Sequence, residues 1–330
     1  MKVAILGNGG FGTAMAVLAS RAGHAVALWG HDANYTAQIA STRRNPRYLE
    51  AAVLADDVRI THDAAAVLDR ADVVLFAVPT QHVRAVAKVV APFVAADVSV
   101  VSLAKGLEQA TGARPTVVLG EVLGGAGRVL ALSGPSHAEE IVAELPTTVV
   151  LAGADEARLV PLQTALSTAV FRVYRNRDVV GLEICGALKN VMALAAGIAD
   201  GLGYGDNAKA AILSRGLVEM ARYGKVHGAD PRTFFGLAGV GDLAVTAFSR
   251  HGRNRAFGER IGRGETLAQA LAASPKVAEG VWTSRVVAAA ARGHGVEMPI
   301  ACAVADVLFD GLSPRDAVRA LMERDVKAES

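Results

Sequence analysis

Lys189 and Asn190 stand at the front of an otherwise apolar run, Gly186-Ala-Leu-Lys189-Asn190-Val-Met-Ala-Leu-Ala-Ala. An ammonium in such a place either snorkels off its helix to water or is held in apolar surroundings. In the second case desolvation or a neighbouring cation lowers its pKa toward the range useful to a proton donor and acceptor. A Lys, His or Tyr in that role is what hydride transfer at an oxygen-bearing carbon needs, because a second group must handle the hydroxyl proton. Further on, Gly239-Val-Gly241-Asp242-Leu243 sets a carboxylate in a glycine-framed turn at a predicted helix start, where it either caps the helix or serves a site. Gly252-Arg253-Asn254 opens another helix-like stretch. It is either a basic surface turn or a phosphate-monoester site made of a forked guanidinium, an amide and free backbone N–H groups.

The N-terminus carries a second kind of chemistry. Val3-Ala-Ile-Leu-Gly7-Asn-Gly9-Gly10-Phe11-Gly12 reads as a strand running into a GxGxxG turn, and Thr13 onward as a helix. Glycines there make a tight turn, let backbone approach a pyrophosphate and present a helix N-terminus to it, which is the dinucleotide fingerprint in its proper setting. After the second predicted strand come His31 and Asp32. His31 suits a 2′-phosphate, whereas Asp32 either caps the next helix or faces the ribose, so the expectation leans to NADP and leaves NAD open. Arg43 and Arg44 are candidate helpers or simply solvated surface.

These residues need a sheet to position them. Short β-branched runs alternate with Ala-rich or amphipathic segments in the first half, the pattern of a parallel sheet with crossover helices. Strands are expected near Lys2–Leu6, Ala25–Trp29, Val58–Ile60, Val73–Ala77, Ser99–Leu103, Val129–Leu132, Thr147–Leu151 and Phe171–Tyr174. Beyond the carboxyl ends of such strands lie Val78-Pro79-Thr80-Gln81 and Leu103-Ala-Lys105-Gly106, which places Lys105 at the nicotinamide edge of the crevice. Gly134-Pro-Ser136-His-Ala138-Glu139 follows another strand and either lines the crevice or caps a helix. From about Val179 the β-branched runs give way to helical spacing of Ala and Leu. The reading is therefore α/β: a Rossmann-type, mostly parallel sheet domain over residues 1–178 and an all-α substrate-binding and catalytic domain over 179–330.

Composition narrows the partners. The 34 Lys+Arg against 32 Asp+Glu exclude the strongly basic balance of a nucleic-acid binder. The two cysteines, Cys185 and Cys302, give neither a disulfide framework nor a zinc spacing, and the eight histidines repeat no ligand spacing, so no metal is expected. The N-terminus lacks a signal-peptide pattern, and no stretch reaches the ~20 uninterrupted apolar residues of a membrane helix. A cytoplasmic protein with no membrane insertion is the expectation.

Taken in order, these blocks, together with Val277-Ala-Glu279-Gly280, resemble the bacterial NAD(P)-dependent glycerol-3-phosphate dehydrogenase family over nearly the whole chain. The resemblance implies interconversion of sn-glycerol 3-phosphate and dihydroxyacetone phosphate, with Lys189 as general acid and base. It implies that Phe11, His31, Lys105, Ala138, Arg253, Val277 and Glu279 contact the dinucleotide along with Gly7, Gly9, Gly10 and Gly12. Lys105, Gly134, Ser136, Asn190, Asp242, Gly252, Arg253 and Asn254 would hold the substrate, with Arg253 and Asn254 nearest its phosphate. A homodimer and a role in supplying glycerol 3-phosphate for phospholipid synthesis are also implied.

The sequence departs from the family pattern at three of these positions. Phe11 stands where tryptophan is common, His31 where arginine is frequent, and Gly252 where a serine usually precedes the Arg-Asn pair. The last removes one hydroxyl from the substrate shell. The rival readings are another two-domain dehydrogenase for a 3-hydroxy acid or phosphorylated polyol, and a non-catalytic dinucleotide-binding sensor.

Overall fold

Apolar β-branched runs too short for helices and bounded by turn residues form the strands of a computed structural model that describes residues 1–249, 252–273, 278–326 and 328. They are β1 (Lys2–Leu6), β2 (Ala25–Trp29), β3 (Arg44–Asn45), β4 (Leu49–Val53), β5 (Arg59–Thr61), β6 (Val73–Phe76), β7 (Ser99–Ser102), β8 (Val129–Ser133), β9 (Thr147–Ala152) and β10 (Phe171–Asn176). Eight of them make one sheet in the order β10-β9-β8-β7-β6-β1-β2-β5. Between them run α1 (Gly10–Arg21), α2 (Ala33–Thr42), α3 (Ala64–Leu68), α4 (Val83–Val90), α5 (Pro115–Leu123), α6 (Ala138–Val142) and α7 (Glu156–Leu166).

Alternate strand residues point to opposite faces, so Val3 and Ile5 join the core under α1, α2 and α7 while Ala4 and Leu6 join the core under α3, α4 and α5. Strand order reverses between β1 and β6, and a doubly wound sheet opens its ligand crevice at that point.

The sheet is mostly parallel, as expected, with one antiparallel pair of neighbours: β9 runs antiparallel to β8. The chain leaves β8, makes only the five-residue α6, and returns at the same end of the sheet instead of crossing over. A small antiparallel hairpin, β3 with β4, lies outside the strands expected from the sequence. At two and five residues, Arg-Asn and Leu-Glu-Ala-Ala-Val, with Val53 the one β-branched side chain, it carries too little strand signal to stand out.

The remainder of the described chain is helical: α8 (Val179–Gly201), α9 (Asp206–Val226), a π-helical turn (Leu237–Gly241), α10 (Asp242–Phe248), α11 (Arg253–Gly262), α12 (Leu267–Ala272), α13 (Glu279–His294), α14 (Pro299–Phe309) and α15 (Pro314–Met322). Helix α8 is the axis of the helical core, and residues of α9, α11, α13 and α14 surround it. It is long and apolar enough to cross a membrane, but 89% of its apolar window is buried inside the protein.

Two pairs of glycines let α11 cross α8 at backbone contact. A Cβ at Gly258 would lie 2.2 Å from Leu194 O, and one at Gly197 would lie 2.0 Å from Arg255 O. At the other end of α8, Glu183 accepts bonds from Arg114 Nη1 at 2.6 Å and Thr116 N at 2.8 Å. This ties the helix to the first turn of α5 and fixes its angle to the sheet.

Candidate active site

The glycine turn has the close contacts its sequence predicts. Gly7 has φ +111° and a Cβ there would lie 2.4 Å from Ala77 O, while a Cβ at Gly12 would lie 1.9 Å from Gly7 O. Gly9 is the N-cap of α1 and no side chain caps the helix. The first turn therefore leaves backbone N–H groups at Gly10, Phe11 and Gly12 for an anion, and the space beside Gly9 is open. These residues fit a pyrophosphate. Phe11 packs half-buried on the sheet core beneath, His31 is exposed at the end of β2, and Ala138 is the first residue of α6. Asp32 takes the capping role, its Oδ1 accepting from Tyr35 N at 3.0 Å. Arg43 is turned away, donating to Val58 O and Asp56 O. Val277 lies outside the described residues.

The second cluster forms where the carboxyl ends of β7 and β8 meet α8 and α10. Lys189 Nζ donates to Asp242 Oδ1 at 2.5 Å and to Thr246 Oγ1 at 2.8 Å. Lys105 Nζ donates to the other carboxylate oxygen, Asp242 Oδ2, at 2.8 Å, and to Gly134 O at 2.9 Å. Ser136 Oγ joins the same carbonyl at 2.8 Å. Gly134 has φ +134°, and a Cβ there would crowd Val149 Cα at 3.0 Å. Asn190 Nδ2 holds Lys105 O at 2.9 Å, so the strand end carrying Lys105 is pinned to α8.

Two ammonium groups thus share one buried carboxylate. Burial pulls the Lys189 pKa down; Asp242 opposes this, the charges of Lys105 and Arg253 add to it, and the outcome is a value of about 7. For Asp242 burial works upward, but the charges and hydrogen bonds of Lys105 and Lys189 prevail and hold its carboxyl below the ordinary value. With two of its three N–H groups committed, Lys189 has one left for a substrate oxygen.

Arg253 and Asn254 open α11, whose N-cap is Gly252 without a side-chain cap. Arg253 is exposed, and Asn254 is buried with its Oδ1 accepting from Gly280 N at 3.1 Å, which leaves its Nδ2 as the donor. A Cβ at Gly252 would lie 2.7 Å from Thr246 O, so this turn packs backbone into the space a side chain would take. Glu279 grips the short turn that follows β6, accepting from Thr80 N at 2.8 Å and Thr80 Oγ1 at 3.0 Å.

Against known proteins this arrangement has full-length counterparts. The family model described as NAD-dependent glycerol-3-phosphate dehydrogenase N-terminus matches residues 2–159, and the one described as its C-terminus matches residues 178–319. The chain belongs to the NAD-dependent glycerol-3-phosphate dehydrogenase family. It is 46% identical to the glycerol-3-phosphate dehydrogenase [NAD(P)+] of Chlorobium limicola, with 100% of this chain and 99% of that one covered. It is also 46% identical to glycerol-3-phosphate dehydrogenase [NAD(P)+] 2 of Salinibacter ruber, over 99% and 96% of the two chains. A crystal structure of glycerol-3-phosphate dehydrogenase from Coxiella burnetii superposes with a TM-score of 0.93 at 36% identity, covering 98% of this chain and 99% of that one.

This family member brings Lys105, Gly134, Ser136, Lys189, Asn190 and Asp242 into one hydrogen-bonded group, and the charge of Arg253 reaches Lys189. Thr246 and Thr80 were not singled out by sequence reasoning. Thr246 follows Asp242 by four residues at the start of a helix, a spacing that puts both on one face and could have found it. Thr80 lies in the Val78–Gln81 segment expected at the crevice, but nothing local marks Glu279, 199 residues away, as its partner.

Proposed function

We propose that the chain interconverts sn-glycerol 3-phosphate and dihydroxyacetone phosphate with a nicotinamide dinucleotide, and that Lys189 moves the proton at the C2 oxygen. The observation that carries this reading is the Lys189–Asp242–Lys105 group, a buried lysine brought near neutrality at the mouth of a dinucleotide-type crevice. The N-terminal N–H groups of α1 would hold the pyrophosphate, with His31, Ala138, Val277 and Glu279 along the rest of the dinucleotide. The bound nicotinamide supplies or accepts the hydride.

In the reducing direction Lys189 donates its uncommitted N–H to the ketone oxygen and transfers that proton as the oxygen gains charge. In the oxidising direction the neutral amine takes the hydroxyl proton. Asp242 and Thr246 fix the direction of the Lys189 ammonium, and Lys105, Ser136 and Asn190 border the reacting carbon. Arg253, Asn254 and the backbone at Gly252 anchor the phosphate, and that remote binding orients the carbon. The same reading divides the chain at 178/179 into a dinucleotide half and a substrate half. It makes the enzyme a cytoplasmic homodimer with no nucleic-acid partner, NADP-leaning and metal-independent, that supplies glycerol 3-phosphate for phospholipid synthesis.

Full-length likeness to relatives named for glycerol 3-phosphate favours this substrate over another polyol phosphate or 3-hydroxy acid. Retention of the Lys–Asp–Lys group speaks against a silent sensor. The test is spectrophotometric oxidation of NADH and of NADPH with dihydroxyacetone phosphate, run side by side on the chain and on Lys189→Ala. The variant should lose about 10²–10⁴-fold in kcat, the range of general acid–base catalysis, and still bind the dinucleotide. Near-normal turnover in the variant would overturn the assignment.

A further inference from the structure

We propose that Arg47 reads the 2′-phosphate of NADPH, and so sets the choice between the two dinucleotides; this rests on the dehydrogenase reading above. The adenosine end of a dinucleotide whose pyrophosphate sits at the α1 N-terminus lies over the carboxyl end of β2, where His31 and the first turn of α2 are. The turn of the β3–β4 hairpin, residues 45–48, spans the gap between those two helix starts. On one side Asn45 Nδ2 donates to Asn8 O at 2.8 Å and to Thr13 Oγ1 at 2.7 Å, and a Cβ at Gly10 would lie 3.1 Å from Tyr48 O. On the other, the hydroxyl of Tyr35, in the first turn of α2, donates to Asn45 Oδ1 at 2.5 Å and accepts from Arg47 N at 3.1 Å.

This framework sets the guanidinium of Arg47 over the Tyr35 ring, its Cζ 4.2 Å from that centroid and 5.9 Å from that of Tyr48. The two rings meet edge to face at 5.9 Å, so the platform is itself fixed. Among the described residues no carboxylate pairs with Arg47, and its side-chain donors stay uncommitted on an exposed residue. A stacked arginine with a free donor edge loses little freedom on meeting a phosphate and engages it through two N–H groups. Asp32, the carboxylate just beyond the end of β2, is occupied in the α2 cap. The two arginines that precede the turn do not offer this: Arg43 is bonded to backbone carbonyls of the β4–β5 connection, and Arg44 lies in β3 with no ring beneath it.

The test compares steady-state KM values for NADPH and NADH, with dihydroxyacetone phosphate as co-substrate, in the full chain and in Arg47→Ala. Loss of a charge-assisted pair predicts a rise in the KM ratio, NADPH over NADH, of about 10–100-fold. Arg47→Lys should give a smaller rise, because it keeps the charge and loses the fork. Calorimetric titration with adenosine 2′,5′-bisphosphate and with AMP supplies a readout independent of turnover. The full chain should prefer the bisphosphate and Arg47→Ala should lose that preference, with thermal melts showing both variants folded. A ratio unchanged within about twofold, or both KM values rising together as for a residue that only packs the turn or touches the pyrophosphate, would overturn the proposal. A chain that prefers the bisphosphate through Arg47 yet oxidises neither dinucleotide would keep this inference and sink the dehydrogenase reading.

Discussion

Lys189 is charged enough to donate and weakly basic enough to accept because it is buried, shares one buried carboxylate with Lys105, and feels the charge of Arg253. Its pKa of about 7 makes a signed prediction. Reduction of dihydroxyacetone phosphate needs the ammonium, so kcat/KM should hold at acid pH and fall as pH rises through that value. Oxidation of glycerol 3-phosphate needs the amine and should fall as pH drops through it. Asp242 raises the Lys189 pKa, so Asp242→Asn should move the falling limb of the reduction profile to lower pH, by about 1–3 units for the loss of one adjacent opposite charge. The check is the position of the limb, which stays readable even though the variant is slower. A limb that does not move would mean another group titrates.

At the scale of elements, the site depends on two helices meeting at backbone contact. Helix α8 carries Lys189 and Asn190, α11 carries Arg253 and Asn254, and glycines on both sides remove the side chains that would hold them apart. Gly258→Ala puts a methyl group 2.2 Å from Leu194 O and 3.0 Å from Ile198 N, contacts that only movement of one helix relieves. Overpacking of this kind costs about 1–3 kcal/mol, so the melting temperature should drop by several degrees. The KM for the phosphorylated substrate should rise as the α11 N-terminus shifts. Thermal melts and substrate titration check the two effects together, and an unchanged melt would show that the crossing has slack.

For the whole molecule, the sheet half and the helical half hold each other through polar pairs: Lys105 with Asp242, Asn190 with the Lys105 carbonyl, Thr80 with Glu279, and Arg114 with Glu183. Both halves contribute residues to the proposed ligand sites, so ligand and fold are linked. NADPH at about 100 times its dissociation constant should stabilise the native state by about 2.7 kcal/mol. A scanning melt with NADPH, then with glycerol 3-phosphate added, should show two successive upward shifts. A second addition without effect would mean that the substrate does not engage the protein once the dinucleotide is bound.

The sequence by itself determined the glycine turn, all eight strands of the large sheet, the change to helices near Val179 and the candidate side chains, because each is written in a local pattern. Gly12 is required by the backbone of Gly7 within the same turn, Gly7 by its own positive φ, and strand and helix periods show within one element. Tertiary structure alone decided that Lys189 meets Asp242, 53 residues on, and that Glu279 closes on Thr80. It also turned β9 against β8, made Asp32 a cap, turned Arg43 away and laid Arg47 on two tyrosines. Those outcomes depend on which faces pack and where buried charges find partners, and a burial cost has no value until the surroundings that exclude water are in place.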